Sequence, residues 1–400
     1  MSSHKETPTQ DQFARLVMEE AQKSGIEITL AYLPEGFALR SETSLVNLQN
    51  TYVDYCQNFA DRESILRRLL STISVAADCE PDGSFDAVRH KLVSVVRERA
   101  LIALTELQAQ IEPPHTAIGV AHEPMTDYYS KAVVLDHPDC MVLVTHDMLE
   151  TWGVTFEDAF EAGLSQLRER TQVRFERKGG YFVGAWNDGY DSSRALLPAL
   201  FDHLPLRGAP VLVMPNEATL MVAGADDNAA VSKLLDKAEK IFNRVSAPQN
   251  PAPLIIRGGK VDDWNAAESS PQYIHIQRAR RLTESRDYDQ QKRLLDKLHQ
   301  NRGKDVLVAT YFLSKRTDGS YVSHASWGKG IATLLPKTDF VGIADPSIPG
   351  AEREMATLPW EELCALAGGE MLDVQMFPPR YFLSRLAQHN FLRGNGTSRS

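Results

Sequence analysis

Between Ala132 and Phe242, short apolar runs alternate with stripes at helical spacing, and this alternation of two periods commits the chain to a mixed helix and strand class. Ala132 to Asp136, Cys140 to Thr145, Val173 to Phe175 and Tyr181 to Trp186 have the length and composition of strands. Thr155 to Glu169 reads as a helix with Phe156, Ala159, Phe160, Leu164 and Leu167 on one stripe. Pro210 to Met214 and Ala218 to Ala223 flank the polar turn Pro215-Asn216-Glu217, a β-hairpin pattern. Asp226 or Asp227 then caps a helix carrying Val231, Leu234, Leu235, Ala238, Ile241 and Phe242 at the i, i+3, i+4, i+7 spacing.

Upstream, Ile26 to Tyr32 predicts a short strand, Thr51 to Phe59 leads into a helix around Ile65 to Ile73, and Phe85 to Ile111 predicts one long helix stopped by Pro113-Pro114. The segment Ser246 to Pro253, with three prolines among small polar residues, predicts an extended connector and a domain boundary. Beyond it come a strand at Leu254 to Ile256, a charged helix at Glu284 to Asn301, and runs at Val306 to Lys315 and Tyr321 to Trp327 flanking the hairpin signal Asp318-Gly319. A strand at Phe340 to Ala344, a helix at Pro359 to Ala367 and a strand at Met371 to Phe377 complete that half. The expected fold is therefore α+β: a leader (1–10), a first unit (11–245, helical over 51–111 and mixed over 117–245), a linker (246–253), a second unit (254–391) and a tail (394–400), with antiparallel hairpins packed on helices.

Four hundred residues exceed what one core organises, which fits two units. A formal charge of −10 argues against non-specific attachment to nucleic acid or anionic membrane. No apolar stretch has the length of a membrane span, and Met1 to Gln12 lacks the charged flank and apolar run of an export signal, so a cytoplasmic protein is expected. Asn395-Gly396-Thr397 is accordingly read as tail rather than as a glycosylation site. Cys56, Cys79, Cys140 and Cys364 form no C-x-x-C pair, and neither H-E-x-x-H nor the deaminase pattern occurs, so no metal and no cofactor is expected. Gly259-Lys260, Gly303-Lys304 and Gly328-Lys329 are not followed by Ser or Thr, which removes the P-loop; G-x-G-x-x-G and G-x-S-x-G are absent too.

Three stretches, Val144 to Gly153 (VTHDMLETWG) running into the next helix, Gly189 to Leu197 (GYDSSRALL) and Pro210 to Asp227 (PVLVMPNEATLMVAGADD), with a weaker echo at Leu45 to Tyr55, carry a resemblance. Over residues 29–242 the chain resembles the YtpQ-like family of bacterial proteins, a family without an established function. The resemblance implies a fold more than a chemistry, because its motifs are strand, turn and helix-entry signatures. The residues after the linker fall outside it.

Two local constellations remain as candidate ligand sites. In Trp186 to Arg194 a strand hands over to a helix, so exposed backbone N–H groups with Asp188, Tyr190, Ser192, Ser193 and Arg194 offer an anion site, while Asp191 or the serines equally serve as helix caps. In Ser326 to Gly330, Trp327 and the glycine-flanked Lys329 offer a second, with a tight turn as the plainer reading. His122-Glu123 and His146-Asp147 place imidazole beside carboxylate, but neighbours on a strand point to opposite faces. Arg278, Arg280, Arg281, Arg286, Lys292, Arg293 and Lys297 make a basic segment interleaved with Glu284, Asp287, Asp289 and Asp296, the pattern of a salt-bridged helix more than of a nucleic-acid surface. The expectation is a non-enzymatic module that binds another protein or a small ligand; the alternatives are a hydrolase or transferase using the 186–194 turn, and nucleic-acid binding through 278–297.

Overall fold

The computed structural model describes residues 7–26, 29–34, 37–41, 45–78, 84–111, 119–138, 140–245, 248–344 and 356–383. Most of the expected leader, the Pro113-Pro114 stop, Cys79 and the tail with Asn395 lie outside the described residues. The helices are α1 (Gln10–Lys23), α2 (Gln49–Gln57), α3 (Arg62–Asp78), α4 (Phe85–Val88), α5 (Arg99–Ala109), α6 (His146–Trp152), α7 (Phe156–Glu169), α8 (Asn228–Phe242), α9 (Tyr273–Asn301) and α10 (Trp360–Ala367). The strands are β1 (Ala31–Leu33), β2 (Ala38–Arg40), β3 (Leu45–Asn47), β4 (Leu92–Glu98), β5 (His122–Pro124), β6 (Tyr129–Asp136), β7 (Met141–Leu143), β8 (Phe175–Lys178), β9 (Tyr181–Gly184), β10 (Pro210–Asn216), β11 (Thr219–Gly224), β12 (Leu254–Arg257), β13 (Lys260–Asp263), β14 (Leu307–Val308), β15 (Phe312–Lys315), β16 (Tyr321–Gly328), β17 (Thr333–Pro336), β18 (Phe340–Ala344), β19 (Ala356–Pro359), β20 (Met371–Asp373) and β21 (Arg380–Leu383). The fold is α+β. Among the described residues no helix is long and apolar enough to cross a membrane.

The chain forms two units, and neither is a continuous stretch. The first takes the chain up to Arg97, Gly119–Gln249 and Leu254–Asp263; the second takes Glu98–Ile118, Asn250–Pro253 and the chain from Trp264 on. The single boundary expected at 246–253 is thus replaced by several crossings.

In the first unit a six-stranded antiparallel sheet runs β13-β12-β10-β11-β9-β8, a second sheet runs β4-β6-β5 with β7 on β6, and β1-β2-β3 form a small third. Thr155 caps α7 reciprocally with Asp158, and Asp227, one of the two caps expected, accepts from Ala230 N–H to start α8. The expected long helix 85–111 is corrected: α4 ends at Val88, and Leu92–Glu98 is a fully buried strand before α5 begins at Arg99. Leu92, Val93, Val95 and Val96 fit a helical stripe as well as a buried strand, and β-branched side chains buried on both faces favour the strand. Helix α7 lies against it so closely that Ser94 donates to Phe160 O at 2.6 Å, and a Cβ on Gly163 would come within 2.6 Å of Ser94 N.

The strand Leu254–Arg257, expected in the second unit, pairs with β10 in the first unit's sheet through Val211↔Ile255 and Leu212↔Leu254. Its apolar residues Leu254, Ile255 and Ile256 need a covered face, and the β10 edge supplies one. The preceding segment is not a solvated spacer: Gln249, Asn250 and Ala252 are buried, and Gln249 N–H donates to Pro215 O.

The second unit holds two four-stranded sheets, β14-β17-β21-β20 and β15-β16-β18-β19. Each contains a parallel pair, β14 with β17 and β16 with β18, beyond the antiparallel hairpins expected. Trp327, Leu335, Val341, Ile343, Leu363 and Leu383 form its main core. Helix α9 buries polar groups, Thr283, Asp287 and Gln291 among them. Arg380, with no accessible surface, donates to Gln291 Oε1 at 2.6 Å and to the carbonyls of Ala309 and Leu334 at 2.8 and 3.1 Å.

Candidate functional site

The turn at Trp186–Arg194 is built by two left-handed residues, Asn187 (φ 55°) and Gly189 (φ 80°), on either side of Asp188. They fold the chain back so that the Asp188 carboxylate accepts from Tyr190 N–H at 3.0 Å and from both terminal nitrogens of Arg194 at 2.9 and 2.6 Å. The Arg194 guanidinium sits 4.3 Å from the Trp186 ring, its Nε donates to Thr171 Oγ1 at 3.2 Å, and the residue is 0% exposed. Burial alone would raise the Asp188 carboxyl, but the hydrogen bonds and charge of Arg194 with the Tyr190 N–H outweigh it and hold the group below the usual carboxylate range.

The Tyr190 hydroxyl donates to Asp136 Oδ1 at 2.7 Å, and Arg170 reaches the other Asp136 oxygen at 2.5 Å. Burial and that hydrogen bond push the phenol well above its ordinary value. Ser193 Oγ accepts from Val96 N–H at 3.3 Å, Ser192 N–H donates to Glu217 O at 3.0 Å, and the Glu217 carboxylate pairs with Arg97 at 3.2 Å. Both serines are sealed from solvent. The helix expected to follow the turn is two 3₁₀ stretches, Ser192–Leu196 and Pro198–His203, because Pro198 forces Leu197 out of helical conformation. Asp191 does not cap it: its buried carboxylate oxygens make no hydrogen bond of good geometry, and burial and the negative Asp188 raise its pKa.

Asp188, Tyr190, Ser192, Ser193 and Arg194 are therefore brought together, as a closed knot rather than as an open anion site. Arg194, the cation such a site needs, is neutralised by Asp188, and the serines cannot meet a substrate where they lie. The knot ties the approach to β8 (Arg170, Thr171) and the end of β6 (Asp136) to the β10–β11 turn (Glu217).

Trp327 and Lys329 do not form a common site. Trp327 is buried in the core, its indole N–H donating to Ile331 O at 3.1 Å, while Lys329 N–H donates to Ala344 O. On α9, Arg280 donates to Trp264 O and Asn265, Arg281 pairs with Glu284 and Asp339, Arg286 with Glu98 and Asp287, Lys292 with Asp296 and Arg293 with Asp289. The basic segment is thus spent largely within its own unit. Among the described residues no cluster of His, Cys, Asp and Glu has the arrangement of a metal site.

An open surface instead lies on the sheet β15-β16-β18-β19. Ala325, Trp327, Val341, Ile343 and Leu358 turn one face to the core. The register Phe312↔His324↔Phe340↔Pro359 places those four residues in one row on the other face, across the full width of the sheet, roughly 14 Å at the usual strand spacing. Phe312 is 52% exposed, and His324 stacks on Phe340 with centroids 5.8 Å apart and planes 23° apart. Exposed Ser314, Ser326 and Thr357 flank the row. β15 is the end strand, and the bond from Arg316 N–H to Ser320 O sets its phase, so the backbone groups of Phe312 and Ser314 point to β16 and those of Leu313 and Lys315 point outward. Exposed Lys315 and Arg316 make this edge positive.

The sequence places β15, β16 and β18 but not β19, and misses the row, because which strands lie side by side, and in what register, is not written locally. The alternation Val322, His324, Ser326 against Ser323, Ala325, Trp327 was the available signal for an outward-facing histidine. No family model matches the chain, and neither a curated protein nor a solved structure does.

Proposed function

We propose that the protein is a binding module, not a catalyst, and that it takes an extended acidic segment of a partner protein along β15 and the aromatic row. The observation that carries this reading is the row Phe312–His324–Phe340–Pro359 beside a lysine- and arginine-bearing strand edge that, among the described residues, pairs with no further strand. Strand addition draws affinity from main-chain hydrogen bonds and specificity from side chains on the adjoining face, and both elements are adjacent here. The 186–194 turn gives a hydrolase or transferase reading little support, since its serines are sealed and Tyr190 is committed as a donor to Asp136. Membership of the YtpQ-like family over residues 29–242 is part of the same proposal, carried by the three motifs quoted above. So is a cytoplasmic setting, where the thiols of Cys56, Cys140 and Cys364, which form no disulfide, persist.

The test is selection of phage-displayed random peptides on the full-length protein. Enrichment of acidic, proline-poor sequences is expected, with binding weakened about tenfold by Phe312→Ala, the size of a modest hot spot. Leu313→Pro, which removes an outward N–H, should abolish it. Peptides that bind both variants as they bind the native chain, or no enrichment at all, would overturn the assignment.

A further inference from the structure

Glu98, the last residue of β4 and the one before α5, carries a carboxylate only 9% exposed. Arg286 of α9 reaches its two oxygens at 3.4 and 3.2 Å, and the same guanidinium reaches Asp287 Oδ1 at 2.9 Å. The Asp287 side chain is 6% exposed. On the opposite side Asn250 N–H donates to Glu98 Oε1 at 2.5 Å, so this carboxylate fastens the segment Asn250–Pro253 to its own unit. Ala252 N–H donating to Asn250 Oδ1 and Trp264 N–H donating to Pro253 O keep that segment in one shape around the fastening.

The charges do not balance. Two carboxylates face one guanidinium in a place largely closed to water, and Glu284, one turn earlier on α9, adds negative potential at Asp287. The groups that act most strongly on Glu98 are Arg286 and Asp287 from α9 and, from the 250–253 segment, the Asn250 N–H. Arg99, the adjacent residue on α5, has its guanidinium over the Phe377 ring at 4.4 Å. With one proton on the pair the cluster is neutral; with none it holds a net negative charge with little water to screen it.

We propose that Glu98 and Asp287 share a proton and act with Arg286 as a pH-operated latch on residues 250–253, closed when the pair holds the proton and loosened when it is lost. Burial raises both groups, Glu98 to about 7 and Asp287 to about 6, with Arg286 opposing the shift, which puts the change in the physiological range. The sign follows from linkage. The folded pair binds its proton more tightly than the unfolded chain does, so the stabilisation is fully present below the ordinary carboxylate range and is lost as pH rises through about 7. This is independent of the peptide-binding surface and concerns the state of the fold around Asn250.

Hydrogen exchange of the full-length protein at pH 6 and pH 8, corrected for intrinsic rates, tests it. Peptides covering residues 248–254 should lose protection at least tenfold on going to pH 8 in the native chain, while Glu98→Gln, which fixes a neutral side chain, should remain protected at both. Equal protection at the two pH values in the native chain, or the same pH dependence in Glu98→Gln, would overturn the latch. Infrared difference spectra between the two pH values on the native protein serve even where the variant does not fold. A carbonyl band of a protonated carboxylic acid that disappears on raising the pH is expected, and its absence rejects a shared proton.

Discussion

Asp188 and Asp191 lie within one short turn, and their surroundings shift the two carboxyls in opposite directions. Asp188 is ionised because Arg194 meets it with a bidentate fork, and the pair is the means by which a fully buried arginine is tolerated. Asp188→Asn would leave that guanidinium buried without a counterion, and the expected loss is about 3 kcal/mol, the lower end for breaking a buried pair because Asp188 itself is partly exposed. Urea unfolding at pH 7 measures it. Asp191 is the reverse case, a buried carboxyl for which burial and the negative Asp188 outweigh the Arg194 charge and the backbone N–H groups of Trp186 and Asn187, so its folded form holds its proton more tightly than the unfolded chain. Its contribution is present below the ordinary value of 3.8 and is lost as pH rises above it, so ionising it near neutrality works against the fold. Asp191→Asn is therefore expected to raise the melting temperature at pH 7 and to change it little at pH 4; a lower melting temperature at pH 7 would mean that Asp191 has a charged partner in solution. From sequence Asp188 was a member of the candidate ligand turn and Asp191 a candidate helix cap, with nothing to tell their ionisation apart. What separates them is the left-handed backbone at Asn187 and Gly189, and the reach of Arg194, which spacing alone does not encode.

Strand β4 shows where reading by period runs out. Its apolar residues satisfy a helical stripe, and the stretch flows without a breaker into the true helix α5, so the two merged into one expected helix. The competing term is tertiary: with β6 on one side and α7 packed across it, all seven residues are buried, and a strand supplies inter-strand hydrogen bonds where a helix would leave this face of the sheet uncovered. By contrast α7, α8 and the β10–β11 hairpin were legible because each carries its own cap, stripe or turn. The surface row of β15-β16-β18-β19 needed a parallel pairing between β16 and β18 that no local signal gives. The closeness of α7 to β4 gives a test. Gly163→Ala would drive a methyl into the Ser94 backbone, and since backbone cannot step aside, overpacking should cost about 1–3 kcal/mol. Ser94→Ala at the same contact should cost less, about 1 kcal/mol, because it removes one hydrogen bond to Phe160 O and adds no bulk. If Gly163→Ala melts at the native temperature, α7 stands further from β4 than 2.6 Å allows.

At the scale of the whole molecule the important fact is that chain order and folding unit do not coincide. A cut at Ser246, the natural choice from the proline-rich segment, would keep 1–245 and discard β12 and β13, two of the six strands of the first unit's largest sheet. It would remove Leu254, Ile255 and Ile256 from the core, each worth roughly 1.5–3 kcal/mol of burial, and would expose the β10 edge. That total is comparable with the whole stability of an ordinary domain, so the fragment should lack a cooperative transition. A fragment ending after Asp263 restores the sheet by adding residues 246–263, because β12 and β13 form a tight hairpin pinned to β10 and tied to the 126–128 turn by Asp127 N–H donating to Asp263 at 2.7 Å. The expected result is a sigmoidal urea transition by circular dichroism for 1–264 and a broad, probe-dependent one for 1–245, with the shorter fragment binding a hydrophobic dye at zero urea. Equal cooperativity in the two would mean that β12 and β13 decorate the sheet without completing it, and that the first unit ends where its prolines begin.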